Sequence, residues 1–221
     1  MISTGNDVVS LSAIDITRTK LPNFYSKILS TPESVLYNEA VAATLPFENF
    51  VWLLWSIKES AYKYLQRINP ELIFTPVMVV GDQLQVPYDY KPTAFGKNEL
   101  SGAGFKDQLT FDTTVTFGQN TIYSKSLVYT DAIVTVVHSS KNFEDTFWGI
   151  KWIDNTDNEN QSAVVREFLL DNLHKLCGLD NITISKNRNA IPVLLKGSEE
   201  TDIPISLSHH GHFVAYSFQH F

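Results

Sequence analysis

The sequence predicts an α+β fold built from two similar halves, and three observations support this prediction. Residues 50–68 are largely apolar and contain no Pro or Gly, which is typical of a long buried helix. Residues 162–176 show a helical apolar period that ends before Gly178. The remaining apolar segments are short, rich in β-branched and aromatic residues, and separated by turn residues, which is typical of antiparallel strands.

Both halves present the same order of elements: a strand, a long helix, further strands, one of them bearing a proline, and a closing hairpin. In this alignment Lys58-Glu59 of the first helix matches Arg166-Glu167 of the second. Such a repeat predicts two halves related by a pseudo-twofold axis. We divide the chain into an N-terminal half, 1–141, and a C-terminal half, 142–221, with a cleft between them as the expected site.

The elements follow from local signals. β-branched residues predict the first strand, a turn at 15–20 precedes a short helix, and Pro32 at a first helical position predicts a helix to about residue 43. Gly81-Asp82 predicts a hairpin turn between two strands, whereas 87–106, rich in Pro, Gly and aromatic residues, is predicted to be a long loop. Strands are expected at 5–11, 74–80, 83–86, 109–117, 121–129, 132–138, 147–153, 182–185, 191–195, 203–208 and 213–218.

Composition excludes several classes of protein. The 221-residue chain has a formal net charge of −7 and no compensating basic run, which argues against a general nucleic-acid binder. Its apolar runs are too short to cross a bilayer, and the N-terminus lacks the pattern of a signal peptide. Cys177 is the sole cysteine, so no intramolecular disulfide can form. We therefore expect a cytoplasmic protein without membrane or nucleic-acid partners.

Charged residues interrupt the apolar central helix. At about 100° per residue, Trp55, Glu59, Tyr62 and Lys63 fall on one face. A carboxylate among aromatic side chains is costly to bury unless a cation or a metal ion lies beside it. The alternative is an ordinary i,i+4 Glu–Lys pair on a solvated stripe. From these residues alone, both interpretations remain open.

Three sequence blocks carry a family resemblance: G-N-D-V-V from Gly5, W-S-I-K-E-S-A-Y-K from Trp55, and I-S-L-S-H from Ile205. Together and in this order they resemble the signature of the 4′-phosphopantetheinyl transferases, which move the phosphopantetheine arm of coenzyme A onto a serine of a carrier protein. The chain has the length of the two-half, surfactin-synthetase-like members but the block order of the single-domain holo-acyl-carrier-protein synthases. The resemblance therefore implies two exchanged halves in one monomer.

The resemblance also implies roles for particular residues. Asp7 and Glu59 would be the Mg²⁺ ligands, and Lys63 would bind a phosphate oxygen. Ser208 and His209, from the other half, would bind a phosphate of coenzyme A. Two further cations are less defined: Lys58 would make a secondary phosphate contact or a structural pairing, and Arg188 lies where family members bind the nucleotide end. Glu59 or a metal-bound water would take the proton of the carrier serine.

The sequence departs from the family pattern at two positions. Val9 stands where many two-half members have a third acid, which leaves two protein carboxylates for the metal. Ile191 stands where the family has a lysine, which favours an alternative: a non-catalytic relative that binds coenzyme A or a carrier protein. A purely structural protein is the third possibility. Since carrier proteins are usually acidic, we expect them to dock on a locally basic or apolar surface, with Lys20, Lys27 and the loop from Tyr88 to Phe105 as candidates.

Overall fold

The computed structural model describes residues 3–220, and within them helices and antiparallel sheets form four layers. The α-helices are α1 (Ile16–Thr19), α2 (Pro22–Tyr25), α3 (Glu39–Ala42), α4 (Phe47–Ile68) and α5 (Asn158–Cys177), and short 3-10 helices span Thr31–Leu36 and Pro76–Met78. The strands are β1 (Gly5–Ser10), β2 (Val80–Gln85), β3 (Glu99–Ala103), β4 (Phe111–Phe117), β5 (Asn120–Val128), β6 (Ala132–His138), β7 (Thr146–Trp152), β8 (Ile182–Lys186), β9 (Pro192–Lys196), β10 (Glu199–Glu200), β11 (Ile205–His210) and β12 (Phe213–Gln219).

The strands form two main sheets and one small one. The first sheet has the order β1-β6-β5-β4-β2, the second has the order β11-β12-β7-β3, and β10-β9-β8 form the small sheet. Neighbouring strands pair antiparallel in all three sheets. Mixed helices and antiparallel sheets of this kind confirm the predicted α+β class.

Three apolar cores lie between the layers. The first core joins α4 to the first sheet, and the third joins α5 to the second sheet. The middle core fills the space between the two sheets and includes Val8, Val134, Trp148 and Ala215. All residues of β6 and β12 are buried. At these strands each main sheet is therefore covered on both faces, one by its own helix and one by the other sheet.

The order of the strands is similar around the two long helices. In the first sheet β1 pairs with β6, the second strand of the β5–β6 hairpin, and in the second sheet β7 pairs with β12, the second strand of the β11–β12 hairpin. One strand departs from this scheme, because β3 lies in the predicted first half but pairs with β7. The pseudo-twofold and the division at residue 141 remain predictions that the shared order supports.

Four local predictions were wrong. The strand expected at 74–80 is not formed before Val80, because residues 76–78 adopt a 3-10 helix. The helix expected from Pro32 to about 43 is divided, because Oδ1 of Asn38 accepts hydrogen bonds from two amides of α3 and caps it as a separate helix. Gly81 lies within β2 rather than in a turn, since its amide donates to Oε1 of Glu33 at 2.7 Å. The loop predicted at 87–106 contains β3 and buries Phe95 and Phe105 in the middle core.

α4 is the long buried helix that the apolar run predicted, and it begins at Phe47 and ends at Ile68. Half of its residues are buried, including Leu53, Leu54 and Ile57. Within residues 3–220, α4 and the other helices are each too short or too polar to cross a bilayer.

An ion pair in the interior ties α4 to the segments beside it. Lys58 Nζ lies 2.6 Å from Oε2 of Glu33, and both side chains are fully buried. The ammonium also donates to the carbonyl oxygens of Pro76 and Val79 at 3.0 and 2.8 Å. Glu33 in turn accepts hydrogen bonds from Ser30 and from the Gly81 amide. Every polar atom of the pair is satisfied, as burial of two charges requires.

We predict that Lys58→Met destabilises the protein by about 3–5 kcal/mol, because it leaves the Glu33 carboxylate buried without its cation. Urea unfolding followed by circular dichroism measures the change. The matched control is Lys97→Met, which removes a lysine from an exposed pair with Asp154 and should cost less than about 1 kcal/mol. Equal losses in the two variants would contradict the structural role of Lys58.

Candidate active site

Asp7, Glu59 and Lys63 form one cluster between β1 and α4. Lys63 Nζ lies 3.3 Å from Oδ1 of Asp7 and 3.3 Å from Oε1 of Glu59. It also donates to the carbonyl oxygen of Asn6 at 3.0 Å. The side chains of Glu59 and Lys63 are 28% and 24% exposed, whereas Asp7 is 7% exposed. The cluster is therefore enclosed on the strand side and open to a ligand on the helix side.

Gly5 brings the strand and the helix close enough for this contact. A Cβ at Gly5 would lie 2.1 Å from the carbonyl oxygen of Ser60 and 2.8 Å from the amide of Tyr64, so no larger residue fits. Because side chains alternate along a strand, Asp7 faces α4 as Gly5 does. One turn separates Glu59 from Lys63 on α4, which places both opposite Asp7.

Asp7 carries a buried carboxylate that the protein satisfies only in part. Burial raises the pKa of Asp7 to about 7, with Lys63 opposing this shift and Glu59 adding to it. Burial alone would lower the pKa of Lys63, but the charges of Asp7 and Glu59 outweigh it and raise the pKa. Oδ2 of Asp7 is buried and has no hydrogen-bond partner among the described residues. A buried oxygen without a partner costs free energy unless a ligand binds to it.

The donor set of this cluster fits a magnesium ion. Mg²⁺ prefers carboxylate oxygens, keeps several waters, and needs only one or two protein carboxylates. Asp7 and Glu59 supply two, and the unpartnered Oδ2 of Asp7 is an available ligand atom. No group of three or more His, Cys, Asp or Glu residues suited to a metal occurs within residues 3–220.

Ser208, predicted to bind coenzyme A, lies at the junction between β11 and β1. Its Oγ accepts a hydrogen bond from Nδ2 of Asn6 at 2.7 Å, and the neighbouring Ser206 Oγ accepts from the Asn6 amide at 3.0 Å. Ser208 is 4% exposed. Its hydroxyl therefore joins the strand that carries Asp7 to the strand that carries His209.

His209 leaves β11 from the opposite face and is exposed. Partial burial of the ring and the nearby charge of Lys63 lower its pKa, and Glu59 raises it. The electrostatic influence of Lys63 and Glu59 indicates that the predicted histidine lies near the cluster. Two elements from distant parts of the sequence, α4 and β11, thus lie close together beside the cluster.

Two predicted cofactor contacts are placed elsewhere. Lys58 uses all three ammonium protons on Glu33, Pro76 and Val79, which favours the structural pairing over the phosphate contact because no donor is left. Arg188 is exposed in the turn between β8 and β9. Its neighbours Asn187 and Asn189 line a cavity of about 330 Å³, but Arg188 does not.

Arg67 is the cation that lines this cavity, and sequence reasoning did not single it out. Its guanidinium reaches from α4 to the second half, where Nη2 donates to the carbonyl oxygens of Pro192 and Ile205. Burial lowers the pKa of Arg67 to about 10, while Glu200 opposes the shift. Ile191, the residue in place of the family lysine, is buried in the wall of the same cavity.

Asn6 and His210 also escaped the sequence analysis. Asn6 links β1 to Lys63, Ser206 and Ser208, and Nδ1 of His210 accepts a hydrogen bond from the Ser10 amide at 3.0 Å. One signal was available: of the four alternate positions Thr4, Asn6, Val8 and Ser10, which begin just before β1, three are polar. Polar residues on one face of a buried strand indicate a hydrogen-bonded junction.

Comparison with known proteins gives one finding. No curated protein and no solved structure matches the chain. Residues 3–79 match the family model of the 4′-phosphopantetheinyl transferase superfamily, and this stretch contains the whole Asp7–Lys63–Glu59 cluster. The predicted resemblance is thereby confirmed: over residues 3–79 the chain carries the sequence pattern of the 4′-phosphopantetheinyl transferase superfamily.

Proposed function

We propose that this protein transfers the 4′-phosphopantetheine group of coenzyme A to a serine of an apo carrier protein, in a Mg²⁺-dependent reaction that releases adenosine 3′,5′-bisphosphate. The observation that carries this proposal is the cluster of Asp7, Lys63 and Glu59 within the stretch that matches the family. A partly open lysine between two carboxylates, one with an unpartnered buried oxygen, suits the chemistry of a pyrophosphate.

The bond changes of the reaction are simple. The serine hydroxyl oxygen of the carrier attacks the phosphorus that bears pantetheine, and the bond from this phosphorus to the oxygen of the adenosine 5′-phosphate breaks. The serine loses its proton, and the leaving phosphate takes up negative charge. The protein must therefore stabilise negative charge and provide a proton acceptor.

Asp7 and Glu59 would hold the Mg²⁺ ion through their carboxylate oxygens. When bound, the ion supplies positive charge that stabilises the developing charge on the phosphoryl oxygens. Lys63 is held between β1 and α4 by the Asn6 carbonyl oxygen, and its ammonium would bind a phosphate oxygen as a point charge. Glu59, which is partly exposed, or a metal-bound water would accept the serine proton.

The second half would bind the other end of the pyrophosphate. His209 is exposed on β11 and would donate an N–H to a coenzyme A phosphate. Ser208 would act by holding β11 against Asn6, because its hydroxyl is buried in that contact. Since both sides of the cleft belong to one chain, the site requires no second copy, and we expect a monomer in the cytoplasm.

The region after β1 offers a docking surface for the carrier protein. Arg18, Lys20 and Lys27 are exposed on or beside α1 and α2, together with the exposed apolar residues Ile16 and Leu21. Such a surface suits an acidic partner. In the other predicted docking region, Tyr88 to Phe105, Phe95 and Phe105 are buried, whereas Tyr88 is 99% exposed. The remaining residues of that region are exposed or half-buried, so it stays a second candidate surface.

A second candidate function is a module that binds coenzyme A without transferring it. Ile191 favours this candidate, because a buried isoleucine cannot replace the lysine of the family pattern in binding a phosphate. The two candidates differ in one outcome: the module binds coenzyme A but adds no mass to any carrier protein.

The deciding experiment is the intact mass of an apo acyl carrier protein after incubation with this protein and coenzyme A. We expect the gain of one phosphopantetheine with Mg²⁺ and no gain with excess chelator. Glu59→Gln should abolish the gain while circular dichroism stays unchanged. The matched control is Glu167→Gln, at the exposed equivalent position of α5, which should transfer normally. Full transfer by Glu59→Gln would overturn the proposed mechanism.

Asp7→Asn should abolish transfer while it increases the stability of the metal-free protein relative to the wild type near pH 7. The folded pKa of about 7 exceeds the ordinary value of 3.8, so the wild type loses stability as pH rises between these values. A neutral asparagine avoids this loss. In metal-free urea unfolding, its stability relative to the wild type should increase from pH 5 to pH 7 and then remain level, while transfer is abolished. A variant less stable than the wild type at pH 8 would instead indicate a structural ion pair.

Lys27→Glu should weaken the binding of the carrier protein but not the binding of coenzyme A. Reversing one charge at the edge of a docking surface disfavours an acidic partner, and we expect the KM for the carrier to rise about tenfold at low salt. The KM for coenzyme A should stay constant. Lys175→Glu, an exposed reversal on α5, controls for net charge and should leave both constants unchanged; an equal effect there would refute the docking surface.

A further inference from the structure

His210 occupies the end of β11, where the second half meets the first. It pairs with Phe213 at the start of β12, so it closes the hairpin. Three alternate residues of β11, Ser206, Ser208 and His210, each contact β1 through a side-chain hydrogen bond. The first two do so through hydroxyl groups, and His210 does so through its ring.

The contact fixes the protonation of this ring. Nδ1 of His210 accepts the hydrogen bond of the Ser10 amide at 3.0 Å, and an acceptor nitrogen cannot carry a proton. The proton of the neutral imidazole therefore lies on Nε2. Burial lowers the pKa of His210, with Glu59 opposing the shift, which agrees with a neutral ring.

Two further contacts hold the end of β11 against the first half. The His210 ring lies at 26° to the indole of Trp52 on α4, with a centroid separation of 6.5 Å. The next residue, Gly211, adopts φ of +55° and approaches Ser10 so closely that an added Cβ would lie 2.7 Å from the Ser10 Cβ. The Gly211 backbone packs directly against the Ser10 side chain here, so a small sideways shift of either strand would break the hydrogen bond or cause a clash.

We propose that His210 is a positioning residue that locks the β11–β12 hairpin onto the end of β1 through its neutral ring, and so sets Ser208 and His209 in register with Asp7 across the cleft. This inference rests on the proposed function for its consequence in catalysis, but the lock itself is a property of the protein alone.

The lock lies close to the residues it would position. Ser10 is the last residue of β1 and follows Asp7 by three positions, while His210 directly follows His209. Asn6 and Ser208 fix the same strands nearer their middle. With both points held, β11 can neither slide nor rotate relative to β1, so His209 keeps one distance from Lys63 and Glu59.

Two variants distinguish the role of the His210 hydrogen-bond acceptor from the role of its aromatic ring. His210→Phe keeps an aromatic ring beside Trp52 but leaves the Ser10 amide without an acceptor. His210→Asn loses the ring, but its Oδ1 can take the place of Nδ1. The matched control is His212→Phe in the same hairpin, where the native ring stacks on Trp152 and bonds to the Ile153 carbonyl oxygen within the second half.

We expect His210→Phe to raise the KM for coenzyme A about tenfold, a change equivalent to about 1.4 kcal/mol, with a smaller effect on kcat. His210→Asn should return KM to within about threefold of the wild type. His212→Phe should lower the melting temperature without changing KM. An unchanged KM in His210→Phe, or the same rise in His212→Phe, would overturn the positioning role.

Nuclear magnetic resonance tests the lock without any substrate. In the wild type the nitrogen shifts of His210 should report the proton on Nε2, and the Ser10 amide should exchange slowly with solvent. The Ser10 amide should exchange at least about tenfold faster in His210→Phe than in His210→Asn. A proton on Nδ1, or equal exchange in the two variants, would refute the lock. A wild type that transfers nothing would refute the proposed function and leave the lock to be judged on these spectra.

Discussion

The site and the junction between the halves both depend on one strand that is used on its two faces. β1 presents Gly5, Asp7 and Val9 to α4. On its other face Asn6 and Ser10, together with Thr4 just before the strand, contact the second sheet. Gly5 sets the distance to α4, because any side chain would collide with the Ser60 carbonyl oxygen. Without this close approach Lys63 could not lie between the carboxylates of Asp7 and Glu59.

The junction on the other face of β1 is polar, although apolar residues fill the space between the sheets beside it. Thr4 and Ser217, Asn6 and Ser208, and Ser10 and His210 form hydrogen-bonded pairs across it. Apolar packing tolerates small displacements, whereas a buried hydrogen bond loses most of its value when its atoms move apart. A polar junction therefore fixes the register of two edge strands, which suits a site whose residues come from both of them.

α4 also shows how one helix separates structural and functional charges. Lys58 and Lys63 are five positions apart and so point in different directions. Lys58 is enclosed with Glu33 and donates all its protons inside the protein. Lys63 remains partly exposed between two carboxylates. The same residue type stabilises the fold in one position and, in the proposed function, binds a phosphate in the other.

The sequence by itself determined the α+β class, the long helix α4, the facing of Glu59 and Lys63 and the resemblance to the superfamily, because these depend on local periodicity and short motifs. Only the tertiary structure decided the partner of Lys58, the pairing of β3 with β7, and the roles of Asn6, Ser208 and His210 in the junction. The physical reason is separation along the chain. Periodicity indicates which face of an element a residue occupies, but the group opposite that face comes from residues as many as two hundred positions away.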